Sequence, residues 1–406
     1  MAFITSLRIK NFFSIKDEVT IDFKASQYNI ENNPERLFEF NGESYNKIIS
    51  FYGANASGKS TVLKAIIILS NITKNQSDKD FPLSFKNKFM SLDTSSELAI
   101  SFVLEINNKL EEFLYQIEFE SNRFENIGIK DEKLFQLNKH ENTIIIDRKN
   151  KIISNVDINI IEAIFNNIEN KKSFIREFYR FESKEILVQI SNFFISLSYR
   201  TNITAYQSYF NVDKIDEKDI GSFLDNPAFS KELESFYQAF FSSIGLSFYK
   251  IEAKYKRIDG KPKEFKGIYL YHDFNQNEPL EFWLESDGTQ MLMKILLDIY
   301  LAKINNISLV IDELDSSVHP ALVPIIINLL IENDIQIIYS THNIYNMTFL
   351  QNDEVFLIEK DENHTTTIKP VKDNPNIKDY ENILISYENG DLGGIPDVKE
   401  IITKIL

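Results

Sequence analysis

Apolar and polar residues alternate from residue 3 to 10 and again from 18 to 24, on either side of "NFFSIKD". A period of two puts every second side chain on one face, so both stretches are predicted strands. Residues 47–52, "KIISFY", form a short apolar run of the buried-strand type. The run ends at "GANASGKS", and "TVLKAIIILSNI" behind it has helical spacing. Residues 97–105, 112–119, 127–136 and 143–153 predict further strands joined by short polar turns, an antiparallel sheet. Between about 157 and 245 the period changes. "INIIEAIFNNIENKKSFIREFYRF", "KEILVQISNFFISLSY" and "SKELESFYQAFFSSIG" repeat Ile, Leu and Phe at helical spacing, without a heptad run long enough for an extended coiled coil. Strands return at 247–256, 266–272 and 280–284, and a helix follows at 288–303. Buried strands in "ISLVIDEL", "DIQIIYSTH" and "EVFLIEK" enclose a helix over about 320–333. The closing "DYENILISYENGDLGGIPDVKEIITKIL" mixes helix and turn, and no internal repeat is found.

Buried strands alternating with helices around 47–70 and 300–360 predict an α/β core with a parallel sheet. About 230 residues separate its halves. The expected organisation is a first half of the core with the antiparallel β lobe over 1–155, an α-helical insertion over 156–245, and the second half over 246–406.

Charge and composition narrow the function. The chain has 406 residues and a net charge of -16, which does not suit a general nucleic-acid coat, although one basic face is compatible with it. It has no cysteine, so disulfides, thiolate zinc sites and thiol catalysis are excluded. Arg8, Lys10 and Lys16 interrupt the opening apolar pattern, which therefore lacks the core of a signal peptide. No run of about twenty apolar residues occurs, and a soluble, cytoplasmic protein without a membrane span is expected. "KYKRIDGKPKEFK" at 254–266 is the most basic stretch, a solvated hairpin or a contact for nucleic acid or a partner. The Phe and Tyr of the insertion are core at helical spacing, or in part a docking face.

The chemistry starts at Gly53-Ala54-Asn55-Ala56-Ser57-Gly58-Lys59-Ser60, a full match to G-x-x-x-x-G-K-[ST] between a buried strand and a helix. Glycines let the backbone wrap a phosphate, and the amides and helix N-terminus offer it positive potential. Gly53, Asn55, Ala56, Ser57, Gly58, Lys59, Ser60 and Thr61 are the candidate nucleotide contacts. Lys59 would reach the β- and γ-phosphates, and Ser60 would ligate Mg2+. Asp312 and Glu313 end the next strand, where ligands gather in α/β sheets. Alone they read equally well as a solvated acidic turn. Beside a phosphate loop, Asp312 becomes a candidate metal ligand and Glu313 a candidate for polarising the attacking water. His342 ends the strand after that and is placed to contact the γ-phosphate, the bland reading being a structural histidine. His140, His272, His319 and His364 are expected to be structural or exposed.

Together "GANASGKST", "ESDGTQ", "LVIDELDSSVHP" and "STHN" resemble, in order, the Walker A, signature, Walker B with D-loop, and switch histidine of an ABC-type ATPase. "LRIKNFFSIKDEVTIDF" resembles the first strands of the SMC and RecF branch. The forms "ESDGTQ" and "DELDSSVHP", with the tail "ENGDLGGIPDV", are similar to stand-alone AAA-type ATPases near the OLD proteins, such as the RloA, AbiL and AriA types of phage-defence loci. The resemblance implies a P-loop NTPase using ATP and Mg2+, working as a head-to-tail homodimer with a separate effector. Ser286, Gly288 and Gln290 of one chain would then face the nucleotide of the other, with Asp315 on the D-loop at the same interface. Two departures stand out: Asp287 occupies the place of the first glycine of the transporter signature, and Gln116 is an unanchored assignment for the Q-loop. Three other roles compete with this one. A RecF- or SMC-like ATPase acting on DNA shares the same core. A nuclease of the OLD class needs a Toprim domain, and the stretch after His342 is too short for one. A transporter subunit fits neither the long insertion nor the N-terminal strands.

Overall fold

A computed structural model describes residues 1–73, 85–87, 94–121, 126–139, 141–154, 158–168, 172–179, 185–200, 216–256, 263–272, 278–315, 318–375, 377–378 and 382–392. The middle of the basic stretch, the aromatic residues 201–210, His140 and the tail beyond Leu392 lie outside them. The chain divides into two units, Met1–Val212 with Asn306–Asp315 and Val323–Leu406, and Asp213–Asn305 with Ser316–Leu322.

Among the described residues, the first unit holds a seven-stranded sheet, a six-stranded sheet and a two-stranded hairpin. Strands β1 (Ala2–Lys10) and β2 (Val19–Asp22) open the chain, and β3 (Leu37–Phe40) and β4 (Glu43–Asn46) form a hairpin. Next come β5 (Ile48–Tyr52), β6 (Ser96–Ile106), β7 (Lys109–Ser121), β8 (Asn126–Leu137), β9 (Thr143–Asp147), β10 (Ile152–Ile153) and β11 (Ser198–Arg200). The second unit contributes β12 (Phe248–Lys256), β13 (Glu264–His272) and β14 (Leu280–Glu281). The chain then returns to the first unit with β15 (Leu309–Ile311), β16 (Ile337–Ser340), β17 (Val355–Lys360) and β18 (Thr366–Pro370).

The antiparallel lobe has the order β10-β9-β8-β7-β6-β1-β2. The other sheet runs β11-β15-β16-β5-β17-β18, parallel from β11 to β17, with β18 antiparallel at its edge. This is the expected α/β class. Every residue of β5 is buried, as a central parallel strand covered on both faces requires. The helix Lys59–Thr73 is buried throughout except at Ser60. A helix apolar on all sides belongs inside a core. Its Ile and Leu residues share one cluster with Leu7 and Phe102 of the lobe and Phe51 and Ile338 of the parallel sheet. Gln336, fully buried, adds a polar stitch: its side chain accepts from Ile4 N at 2.8 Å and donates to Ile4 O at 2.9 Å, next to the irregularity in β1.

The helical stretch does not follow the boundaries read from its period. The helices Ile158–Asn167, Phe174–Tyr179 and Glu185–Ser196 lie in the first unit, where Phe174, Ile190 and Phe194 join the core around Lys59–Thr73. The helices Glu217–Asp225 and Ser230–Ser243 lie in the second unit with β12–β14 and the helix Asp287–Asn305. Periodicity shows that a helix buries a face, not against which partner. Likewise Ser198 and Tyr199, read as a helix end, belong to β11, recruited by parallel pairing to β15. Among the described residues, no helix is long and apolar enough to cross a membrane.

Candidate functional site

β5 delivers the loop Gly53–Gly58 into the helix that starts at Lys59. The loop turns through left-handed backbone at Ala56 (φ 63°) and Gly58 (φ 118°). Both outer glycines are also forced by crowding. A Cβ on Gly53 would come 2.2 Å from the Ile358 carbonyl oxygen, and one on Gly58 would come 2.4 Å from Thr366 Oγ1. That threonine braces the loop: it donates to the Ser57 carbonyl at 2.7 Å and lies 2.8 Å from Ser14 Oγ, which is 3.2 Å from Thr61 Oγ1.

A cavity of roughly 570 Å³ opens over this loop, a size suited to a nucleotide. Asn55, Ala56, Ser57, Gly58, Lys59, Ser60 and Thr61 line it, and so do Asp312, Glu313 and His342. Asn55 and His342, 287 positions apart, are brought together because β5, β15 and β16 are consecutive in the sheet, so that their C-terminal ends meet. Gly53 shapes the loop without lining the cavity.

Lys59 Nζ donates to the Gly53 and Ala54 carbonyls at 2.8 and 3.1 Å. Burial pushes its pKa down to about 8, against the pull of Asp312, Glu313 and Asp315. Asp312 is 1% exposed, and its Oδ1 accepts from Ser60 Oγ at 3.2 Å and from Ser340 Oγ. Asp312 Oδ2 is buried without a hydrogen-bond partner among the described residues, and so is Ser57 Oγ. Such atoms are costly unless something else satisfies them. Two hard oxygens, Asp312 Oδ2 and Ser60 Oγ, on residues that line a phosphate-sized space, fit a hydrated Mg2+. Glu313 has left-handed backbone (φ 57°), held by its N–H donating to Ser340 Oγ at 2.9 Å. Few non-glycine residues occupy that region, so the Glu313 backbone is constrained there. Burial, then the charge of Lys59, hold the His342 imidazole below its usual pKa, against Glu313, Asp315 and Asp312.

Asp315 does not line the cavity and acts on Lys59 and His342 through its charge. Gln116 sits inside β7, between Ala99 and Lys133, and does not line the cavity either. His272 is buried, and His319 and His364 are exposed. Phe13, Ser14, Lys64, Ser340 and Lys360 also line the cavity and escaped the sequence reading. Lys64 had a signal, since it lies four residues after Ser60 on the same helix face. Phe13 (φ 48°) sits in an irregular turn that periodicity does not reveal.

In the second unit, Ser286 caps the helix Asp287–Asn305. Its Oγ accepts from Thr289 N at 3.1 Å and lies 2.9 Å from Thr289 Oγ1. Gln290 Nε2 turns back and donates to the Glu285 carbonyl at 2.9 Å. Asp287, in the first turn, is exposed, so its charge is solvated.

A phosphate loop and an acidic strand end on a parallel sheet, with an antiparallel lobe sharing the core, define a P-loop domain of the AAA type. The chain belongs to the family described as "AAA domain, putative AbiEii toxin, Type IV TA system", whose model matches residues 48–347. It is similar to the SMC head domain from Thermotoga maritima (14% identity, 90% of this chain, 98% of that chain, TM-score 0.40). It is also similar to an Smc head bound to the C-terminal winged-helix domain of ScpA (12%, 90% and 97%, 0.43). A third similar structure is an Smc head with a coiled coil and joint from Pyrococcus yayanosii (12%, 91% and 97%, 0.41). No curated protein matches the chain.

Proposed function

We propose that this chain binds and hydrolyses ATP as a head-to-tail homodimer, a switch that serves as the ATPase and sensor of a phage-defence system with a separate effector. One observation carries the ATPase part: the phosphate loop, Asp312, Glu313 and His342 line one cavity, where Asp312 Oδ2 is buried and unsatisfied. In this reading Lys59 leaves the loop carbonyls for the β- and γ-phosphates. Ser60 and Asp312 hold Mg2+, which when bound would neutralise charge on the phosphate oxygens. Glu313 orients the attacking water and accepts its proton. His342, kept neutral at physiological pH by its lowered pKa, is able to donate one hydrogen bond toward the γ-phosphate. Ser286 and Gly288 of the second copy close the site with a helix N-terminus, and Asp315 lies at the same interface. The family's description, which names a toxin and a type IV system, supports the defence context.

Glu313→Gln tests the reading. It should keep ATP binding, lower hydrolysis by about 10²–10⁴-fold, and accumulate a dimer with ATP by size-exclusion chromatography with light scattering. Turnover equal to wild type would sink the assignment of Glu313. A monomer at saturating ATP would sink the dimer.

A further inference from the structure

The turn that leads into Ser286 contains a buried histidine–carboxylate contact that the ATPase reading does not use. Glu285 Oε1 lies 2.6 Å from His272 Nε2, with the two side chains 7% and 5% exposed. Such a buried contact adds little net stability, because burial strips water from both polar groups, and apolar side chains of similar size would join β13 to the turn at least as well. What the pair supplies is direction. The imidazole is itself fixed, lying edge-on to Phe248 at 6.0 Å and 87°, and Phe248 packs on Phe241 at 5.1 Å. Glu285 is held at two further points: its N–H donates to the Phe282 carbonyl at 3.1 Å, and its carbonyl accepts from Gln290 Nε2 at 2.9 Å. The residue before Ser286 is thus pinned by side chain, N–H and C=O at once.

We infer that His272 is a positioning residue of the ATPase, fixing through Glu285 the place of Ser286 and of the N-terminus of the helix Asp287–Asn305. The inference rests on the trans role proposed for Ser286. His272 touches no substrate in this scheme. It is the strand-end anchor that turns a capped helix into a pre-aligned phosphate contact, and pre-alignment is what makes such a donor effective in a transition state.

The chain carries its own reporter. Trp283, its single tryptophan, is 62% exposed and stands two residues before Glu285. His272→Phe keeps a ring against Phe248 and removes the bond to Glu285. It should lower kcat by about ten-fold with ATP affinity unchanged. Acrylamide quenching of Trp283 in the nucleotide-free protein should rise. His272→Gln, which restores an N–H donor, should return both toward wild type, and Glu285→Met, similar in size but without an acceptor for the imidazole N–H, should act as His272→Phe does. Unchanged quenching in both His272→Phe and Glu285→Met overturns the inference whatever the rate does, because the turn has then not moved. A kcat within twofold of wild type overturns it too. If the wild-type chain neither dimerises nor hydrolyses ATP, the trans reading has failed and this inference falls with it. If the wild type does both and the variants match it, only the inference falls.

Discussion

At Gly58 two constraints coincide, a left-handed φ of 118° and a missing Cβ that would stand 2.4 Å from Thr366 Oγ1. Gly58→Ala should therefore abolish ATP binding by titration calorimetry and lower Tm, since strain and displacement of the Thr366 brace add. Thr366→Val keeps the shape and leaves the Ser57 carbonyl without its donor, which should cost about 1–2 kcal/mol in denaturant unfolding. Equal unfolding midpoints for Thr366→Val and wild type would deny the brace. Lys64 poses the opposite problem, a charge the fold tolerates at a cost. Burial pushes its pKa down to about 8, with Asp312 pulling it back. The unfolded lysine, near 10.4, binds more protons than the folded one between these values, so the free protein should gain stability as pH rises from about 8 to about 10. Below pH 8 both forms are charged and the penalty is fully present. Lys64→Met should thus raise Tm at pH 7 and shrink the rise at alkaline pH. An unchanged Tm at pH 7 would show that the charge is not penalised.

Among the elements, those carrying the site were the most legible. β5, β15, β16 and β17 announce themselves as apolar runs, because a parallel strand is buried on both faces. Some short strands give no readable local signal, each for its own reason. The hairpin β3–β4 has strands too short for alternation to register, although its turn, Asn41-Gly42 with φ of 53° and 85°, is the type that asparagine–glycine signals. β18 is a polar edge strand, with one buried residue in "TTIKP", yet it carries Thr366. β11 becomes a strand only through β15. What joins distant elements was also invisible. Arg36, in the turn Pro34–Arg36, grips Glu354 at the mouth of β17 with Nε and Nη2 both at 2.7 Å, and Glu354 is fully buried. No local pattern links residues 318 positions apart. Arg36→Ala strands the carboxylate and should cost about 3–5 kcal/mol in urea unfolding. A loss below about 1 kcal/mol would mean that water or another cation reaches Glu354.

At the scale of the whole molecule, the proposed chemistry is split between units. Lys59, Asp312, Glu313 and His342 belong to the first, and Ser286, Gly288 and Gln290 to the second. If each site takes its phosphate loop from one copy and its signature from another, two defects on different chains can complement each other. Lys59→Ala removes the phosphate lysine, and Ser286→Arg blocks the helix N-terminus. Each variant alone places a defect in both sites of its dimer and should be inactive. In a mixed dimer both defects fall into the same site, and the other is built entirely from wild-type parts. Mixing equal amounts pairs unlike chains in half the dimers, each with one working site of two, so phosphate release should return to about a quarter of wild type. Were Lys59 and Ser286 to serve the same site within one chain, the mixture would stay as inactive as its components. The assay thus separates trans from cis without an assumption about affinity, provided light scattering shows that the two variants still pair.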